Sequence, residues 1–114
     1  MKIIEKMNIE KLNVIYQIFN EKDLLRKLSH QGIIKLHNFF QDENYVYLVT
    51  ELANRGDLGF LIKNVSPLAI NKSMIQFIIA ELLMPLEYLH SIGVSHRDLK
   101  PENVFVTEEG HLKL

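Results

Sequence analysis

His96-Arg97-Asp98-Leu99-Lys100-Pro101-Glu102-Asn103 places a carboxylate, an ammonium and a neutral amide within eight residues, and its neighbours determine what scaffold presents them. Upstream, Asn71 or Ser73 could cap a long helix running through His90. Its apolar positions, among them Met74, Ile75, Phe77, Ile78, Leu82, Leu83, Leu86 and Leu89, cover most faces, so the helix is predicted to be buried. Pro85 is the anomaly, because a proline inside a helix removes a hydrogen bond and costs about 3 kcal/mol unless a kink absorbs it. Ser91 to Ser95 end that helix at Gly93, and a polar loop runs from His96 to Glu102. Downstream, Val104 to Val106 and His111 to Leu114 pair as a small hairpin around Glu108-Glu109-Gly110. A polar loop held between a helix and a hairpin is where a rigid scaffold can display chemistry.

Toward the start of the chain, Lys2 to Ile4 form a short strand, followed by a polar connection through Asn8. From about Ile9 to Leu28, Leu12, Ile15, Phe19, Leu25 and Leu28 recur at helical spacing, while Glu21, Lys22, Asp23, Arg26 and Lys27 occupy the other faces. Ser29 to Gly32 break this amphipathic helix. Two strands, Ile33 to Phe40 and Tyr45 to Thr50, are joined by the turn formers Gln41-Asp42-Glu43-Asn44. Ala53 to Asp57 read as a loop or hinge, with a short helix from Asp57 to Lys63 and a break at Ser66-Pro67. The fold class is α+β, without internal repeats.

The chain has 114 residues, a formal net charge of -1 and interspersed charges, so no basic stripe points to nucleic acid and no polybasic tail to a membrane surface. It contains no cysteine, which excludes disulfides and thiolate metal sites. Glu5, Lys6 and Glu10 interrupt any signal-peptide pattern, and no run is long enough to span a bilayer. A soluble, intracellular, cytoplasmic protein is the expectation.

The opening stretch matches the protein-kinase signature H-R-D-L-x-x-x-N. The bland alternative, a polar turn after a helix, does not account for an eight-residue match in a helix-loop-strand context. On these residues the whole chain resembles the eukaryotic serine/threonine protein kinase catalytic domain. The resemblance implies part of a bilobal kinase fold: a small-lobe part over 1–52 and the start of the large lobe, with the catalytic loop, over 53–114. It also implies ATP and Mg²⁺ as cofactors, and transfer of the ATP γ-phosphate to Ser/Thr hydroxyls of a protein substrate. Asp98 would then orient the hydroxyl and accept its proton, Lys100 would reach the transferring phosphate, and Asn103 would be a Mg²⁺ ligand. Lys2, in Met1-Lys2-Ile3-Ile4, resembles the strand lysine of the family's V-A-I-K motif, and Glu21 its helix glutamate. Val49-Thr50-Glu51-Leu52-Ala53 resembles the gatekeeper and hinge, with Thr50 behind the adenine and the backbone of Glu51 and Ala53 along its edge.

By the same resemblance Asp57 would meet the ribose or a basic substrate residue, with helix capping as its rival role. Leu58 and Phe105 would sandwich the adenine from below, with plain core as theirs; the family commonly has leucine where Phe105 stands. His96 resembles a member of the family's apolar spine, with Leu25 and Leu36, and Arg97 the arginine that grips a phosphorylated activation loop. Lys100 favours serine/threonine over tyrosine kinases. Asn20-Glu21-Lys22 and Gly56-Asp57-Leu58 look most like the cyclic-nucleotide-dependent and phosphoinositide-dependent group, with aurora-like and polo-like kinases as competitors.

Both ends read as strands cut through structure, and neither a glycine-rich phosphate loop nor an Asp-Phe-Gly is in the sequence. The expectation is a chain that alone turns over no ATP at a useful rate and exposes apolar surface on its long helix. A pseudokinase or scaffold that binds partners without phosphotransfer is the alternative, hinted at by Pro85 and Ser95, and a gene product that never folds is a third.

Overall fold

The computed structural model describes residues 1–6, 12–65 and 70–114, with the backbone alone for 12–17. The connection through Asn8, the first residues of the predicted helix from Ile9 and the break at Ser66-Pro67 lie outside the described residues. In chain order the elements are β1 (Lys2–Glu5), α1 (Leu12–Lys27), β2 (Leu36–Gln41), β3 (Tyr45–Thr50), α2 (Leu58–Asn64), α3 (Lys72–Ser91), a 3-10 turn (Pro101–Asn103), β4 (Phe105–Val106) and β5 (Leu112–Lys113). They form two compact units, one of residues 1–29 and 34–51, the other of residues 30–33 and 52–114.

In the first unit β3 lies between β1 and β2 in an antiparallel sheet. The register sets Lys2 opposite Leu48 and Leu48 opposite Phe39, so these three share a row and a face. Ile3, Tyr47 and Phe40 form the next row on the other face. The first face carries the core: Ile18 of α1 packs with Leu36, Val46 and Leu48, and Ile4, Leu25 and Phe39 close around them. Lys2 therefore sits at the edge of the face that α1 covers. The β2–β3 turn is held by Asp42, whose Oδ1 accepts from the amides of Asn44 (2.8 Å) and Tyr45 (2.7 Å). Its Oδ2 accepts from the Tyr47 hydroxyl at 2.7 Å, and that bond chiefly pulls the Asp42 carboxyl below its ordinary range.

Strand β2 begins at Leu36, not at Ile33 as the hydrophobic run suggests, because the Ile33 amide donates instead to the carbonyl of His30 and closes a turn. An irregularity between Leu36 and Asn38 shifts the register there.

In the second unit Leu58, Val104, Val106 and Leu112 form a buried cluster, with Leu61, Ile62, Ile78, Leu82 and Leu114 against it. Helix α2 starts at Asp57, whose Oδ1 accepts from the Phe60 amide at 2.7 Å, and α3 starts at Asn71, whose side chain caps Met74 at 2.9 Å. Gly93 takes a left-handed φ of 73° after α3, where its amide donates to the His90 carbonyl. Helix α3 departs from the buried helix its composition suggests. Pro85 and Leu89 are its buried residues, while Ile75, Phe77, Ile79, Leu83 and Met84 are each about half exposed. Its apolar faces outnumber the elements packed on it, as the expectation of exposed apolar surface requires.

Pro85 has a structural use. Its ring is fully buried, and a Cβ built on Gly32 would lie 3.0 Å from its Cγ. The turn at residues 30–33 seats its glycine on the proline, and the Gly32 carbonyl accepts from the Leu114 amide at 2.9 Å. Among the described residues no helix is long and apolar enough to cross a membrane.

Candidate functional site

The loop after α3 turns at Arg97, which has a φ of 66° and is, among the described residues, the one non-glycine in the left-handed region. Holding a side-chain-bearing residue there costs on the order of 1 kcal/mol, so the neighbouring structure enforces it. Lys100 is extended (φ -154°, ψ 158°), and its ammonium contacts the carboxylate of Asp98 two residues earlier, so the two side chains lie on the same side of the chain, as the sequence suggests. The 3-10 turn follows, its first position filled by Pro101, whose constrained φ suits a helical start. This turn was not foreseen within the polar loop; it carries Asn103 back toward Asp98.

The three side chains meet. Lys100 Nζ lies 3.0 Å from Asp98 Oδ1 and 2.8 Å from Oδ2. Asn103 Nδ2 donates to Asp98 Oδ2 and to the Asp98 carbonyl, each at 2.8 Å. Both of these bonds use the amide nitrogen, so the carbonyl oxygen Oδ1 is the end turned to other partners. The Lys100 ammonium, and after it the Asn103 amide, hold the Asp98 carboxyl below its ordinary range, while the Asp98 carboxylate raises the Lys100 ammonium above its own. Asp98 is thus an anion at neutral pH and a weak base while both donors hold it.

His96 lies just before the trio with Nδ1 buried and without a hydrogen-bond partner. Between Lys100 and Asn103 in the chain, Glu102 reaches Lys63 at 3.8 Å.

In the first unit Lys2 Nζ stands 3.5 Å from Glu21 Oε1, bringing the predicted strand lysine and helix glutamate together across nineteen residues. Both side chains are substantially solvent-exposed. Thr50 ends β3 opposite Leu36 and is half-buried. The Glu51 amide donates to the Lys35 carbonyl (2.9 Å) and the Glu51 carboxylate accepts from the Lys35 amide (2.7 Å), so this residue ties the end of β3 to the chain before β2.

In the second unit the Ala53 carbonyl accepts from Gly56 in a turn. Asp57 spends its carboxylate on capping α2, and its backbone bridges to Phe105. Leu58 is a core residue, 5% exposed, whereas Phe105 is 39% exposed.

Among the described residues no three His, Asp or Glu side chains gather to hold a metal ion. A contact that no sequence pattern points to is made by Glu81: its Oε2 accepts from the Leu112 amide at 3.1 Å and meets His111 Nδ1 at 3.1 Å, tying α3 to β5. No spacing rule links positions 81 and 111, so no signal in the sequence could have exposed it.

The family model of the protein kinase domain matches residues 1–114. A probable serine/threonine-protein kinase of Dictyostelium discoideum is 37% identical over 111 residues, covering 97% of this chain and 24% of that protein. The 3-phosphoinositide-dependent protein kinase B of the same organism is 41% identical over 113 residues, covering 99% of this chain and 12% of its own length. The human 3-phosphoinositide-dependent protein kinase 1 is 35% identical over 114 residues, covering all of this chain and 20% of its own length. The chain thus spans less than a quarter of the length of these curated relatives. With the family's loop signature folded into a contiguous carboxylate, ammonium and amide, and the family model matching from end to end, the chain belongs to the protein kinase domain family.

Proposed function

We propose that these residues serve an ATP-dependent serine/threonine protein kinase, and that the segment alone does not turn over ATP at a useful rate. The observation that carries this reading is the contact of Asp98 with both Lys100 and Asn103. Phosphoryl transfer asks for positioning and charge neutralisation rather than covalent catalysis, and this trio supplies one group for each task.

Asp98, as an anion, accepts a hydrogen bond from the substrate hydroxyl and aims its oxygen at the terminal phosphate. In the free protein Lys100 holds Asp98 at low basicity. An incoming phosphate competes for the Lys100 ammonium, and as that bond moves to phosphate oxygen the Asp98 carboxylate becomes a better proton acceptor. Asn103 would hold Mg²⁺ through Oδ1, one hard neutral oxygen that fits an ion otherwise ligated by phosphates and water. Held there, the ion would supply neutralisation of charge on the phosphate oxygens.

Lys2, oriented by Glu21, would contact the α- and β-phosphates. Thr50 and the backbone of Glu51 and Ala53 would meet the adenine. Because the Glu51 amide is engaged by Lys35, a base contact at Glu51 would use its carbonyl. The capping role of Asp57 and the core position of Leu58 put Phe105 ahead of both as a contact for the nucleotide. The substrate would be a protein Ser/Thr hydroxyl, in an intracellular setting.

The test is phosphate transfer by a polypeptide that carries these residues in frame with an Asp-Phe-Gly segment. Asp98→Asn is expected to lower the rate by roughly 10²- to 10⁴-fold, the usual contribution of a positioned acid-base group. An unchanged rate would refute the assignment. Robust phosphorylation by residues 1–114 alone would refute the claim that the segment is insufficient. Retained Mg·ATP binding without transfer in the longer polypeptide would favour a scaffold.

A further inference from the structure

We infer that Lys22, to which the family resemblance gives no role of its own, is the positioning residue that sets the Lys2–Glu21 contact, by clamping helix α1 to the far strand of the sheet. The inference rests on the proposed phosphate-binding role of Lys2. Lys22 is a lysine that solvent hardly reaches: its side chain is 15% exposed, against 59% for that of Lys2. Its Nζ sits 5.1 Å from the centre of the Phe19 ring and 5.3 Å from that of Phe39, and 2.9 Å from Asp23 Oδ1. The two rings meet edge to face at 5.5 Å. An ammonium shared between two aromatic faces and a carboxylate is held far more firmly than a solvated one.

Phe39 is on β2, and the register makes its position decisive. Phe39 lies opposite Leu48, and Leu48 lies opposite Lys2, so one cross-strand row carries both anchor points of α1. Two strand spacings, about 10 Å, separate the ends of that row. Glu21 reaches the β1 end and Lys22 the β2 end. Successive helical residues project about 100° apart, so a turn of α1 about its axis that carries Glu21 away from Lys2 also drags Lys22 off the Phe39 ring. Between the two ends Leu48 is buried and offers only non-directional packing. The ammonium–ring contact supplies the direction that packing lacks.

The test uses the chain with Lys22→Met, which keeps the aliphatic stem and removes the charge, and with Lys22→Arg, which keeps a cation over the rings. The first readout is the nuclear Overhauser cross peak between the side chains of Lys2 and Glu21. It is expected to persist in the wild-type chain and in Lys22→Arg and to vanish in Lys22→Met, with the strand amide spectrum preserved. Phe39→Leu should abolish it as well. The second readout is Mg·ATP affinity, expected to weaken about two- to fivefold in Lys22→Met, the span of an exposed ion pair, and no further than in Glu21→Gln. A cross peak that survives Lys22→Met would overturn the inference. So would global unfolding of both Lys22→Met and Phe39→Leu, which would make the contact a determinant of the fold alone. If the cross peak vanishes while neither Lys22→Met nor Glu21→Gln alters Mg·ATP affinity, the clamp stands and the phosphate-binding reading of Lys2 falls.

Discussion

On the proposed reading the Asp98–Lys100–Asn103 trio and the Lys2–Glu21 pair serve one reaction, yet they are built in opposite ways. The trio forms within six residues, from an extended lysine, a single 3-10 turn and contacts of 2.8 to 3.0 Å. The pair is assembled from a strand and a helix nineteen residues apart, spans 3.5 Å and is open to solvent. Local geometry makes the first nearly independent of the surrounding core, whereas the second inherits its distance from how α1 packs on the sheet. A chain built this way can lose its strand–helix pair without losing the geometry of the loop that carries Asp98, Lys100 and Asn103.

Leu48→Ala should separate the two most sharply. Leu48 is 1% exposed and is the middle residue of the row that joins Lys2 to Phe39, so its truncation should destabilise the first unit by about 3 kcal/mol in chemical denaturation. The Lys2–Glu21 cross peak should weaken while the Asn103 side-chain amide signals stay in place; a shift of both would contradict the comparison. Gly32→Ala tests the scaffold of the trio. A methyl there meets the buried Pro85 ring at 3.0 Å, and overpacking should cost about 1 kcal/mol in the second unit with the Lys2–Glu21 contact intact.

Acid titration gives a smaller effect. The folded-state Asp98 carboxyl is lowered, so its contribution to stability is present at neutral pH and is lost as pH falls through the depressed value. Lys100 is raised, so its contribution is present below the ordinary lysine value and is lost as pH climbs through the elevated one. Lys100→Met should move the Asp98 midpoint upward, as read by carboxyl carbon NMR; an unmoved midpoint would deny the contact. Lys2→Ala should have the least effect, changing stability by under about 1 kcal/mol because the pair is exposed.

The same division governs what could be read in advance. The proximity of Asp98, Lys100 and Asn103 is legible in the sequence because all three fall within six residues of one polar loop. The capping of α2 by Asp57 was foreseen as a rival role, and it is the one the side chain takes. The 3-10 turn at Pro101–Asn103 was missed because a polar stretch shows no periodicity over three residues. Pro85 could be recognised only as an irregularity, since its seat for Gly32 comes from a turn far away in the chain. The apolar run points to a start of β2 at Ile33 because Ile33 and Ile34 are as apolar as the strand itself, but a turn hydrogen bond to His30 outweighs that propensity. Helix α3 has the composition of a buried helix, but burial depends on what packs against it, which composition does not state.

The most direct test of the central claim is a titration of the chain with Mg·ATP followed by NMR at the side chains of Lys100 and Asn103. The account predicts that nucleotide draws the Lys100 ammonium from Asp98 and perturbs the Asn103 amide, and that Asn103→Ala suppresses the Mg²⁺-dependent part of the response. Signals at Lys100 and Asn103 that stay unmoved at saturating nucleotide, with Lys100 still bound to Asp98, would contradict it.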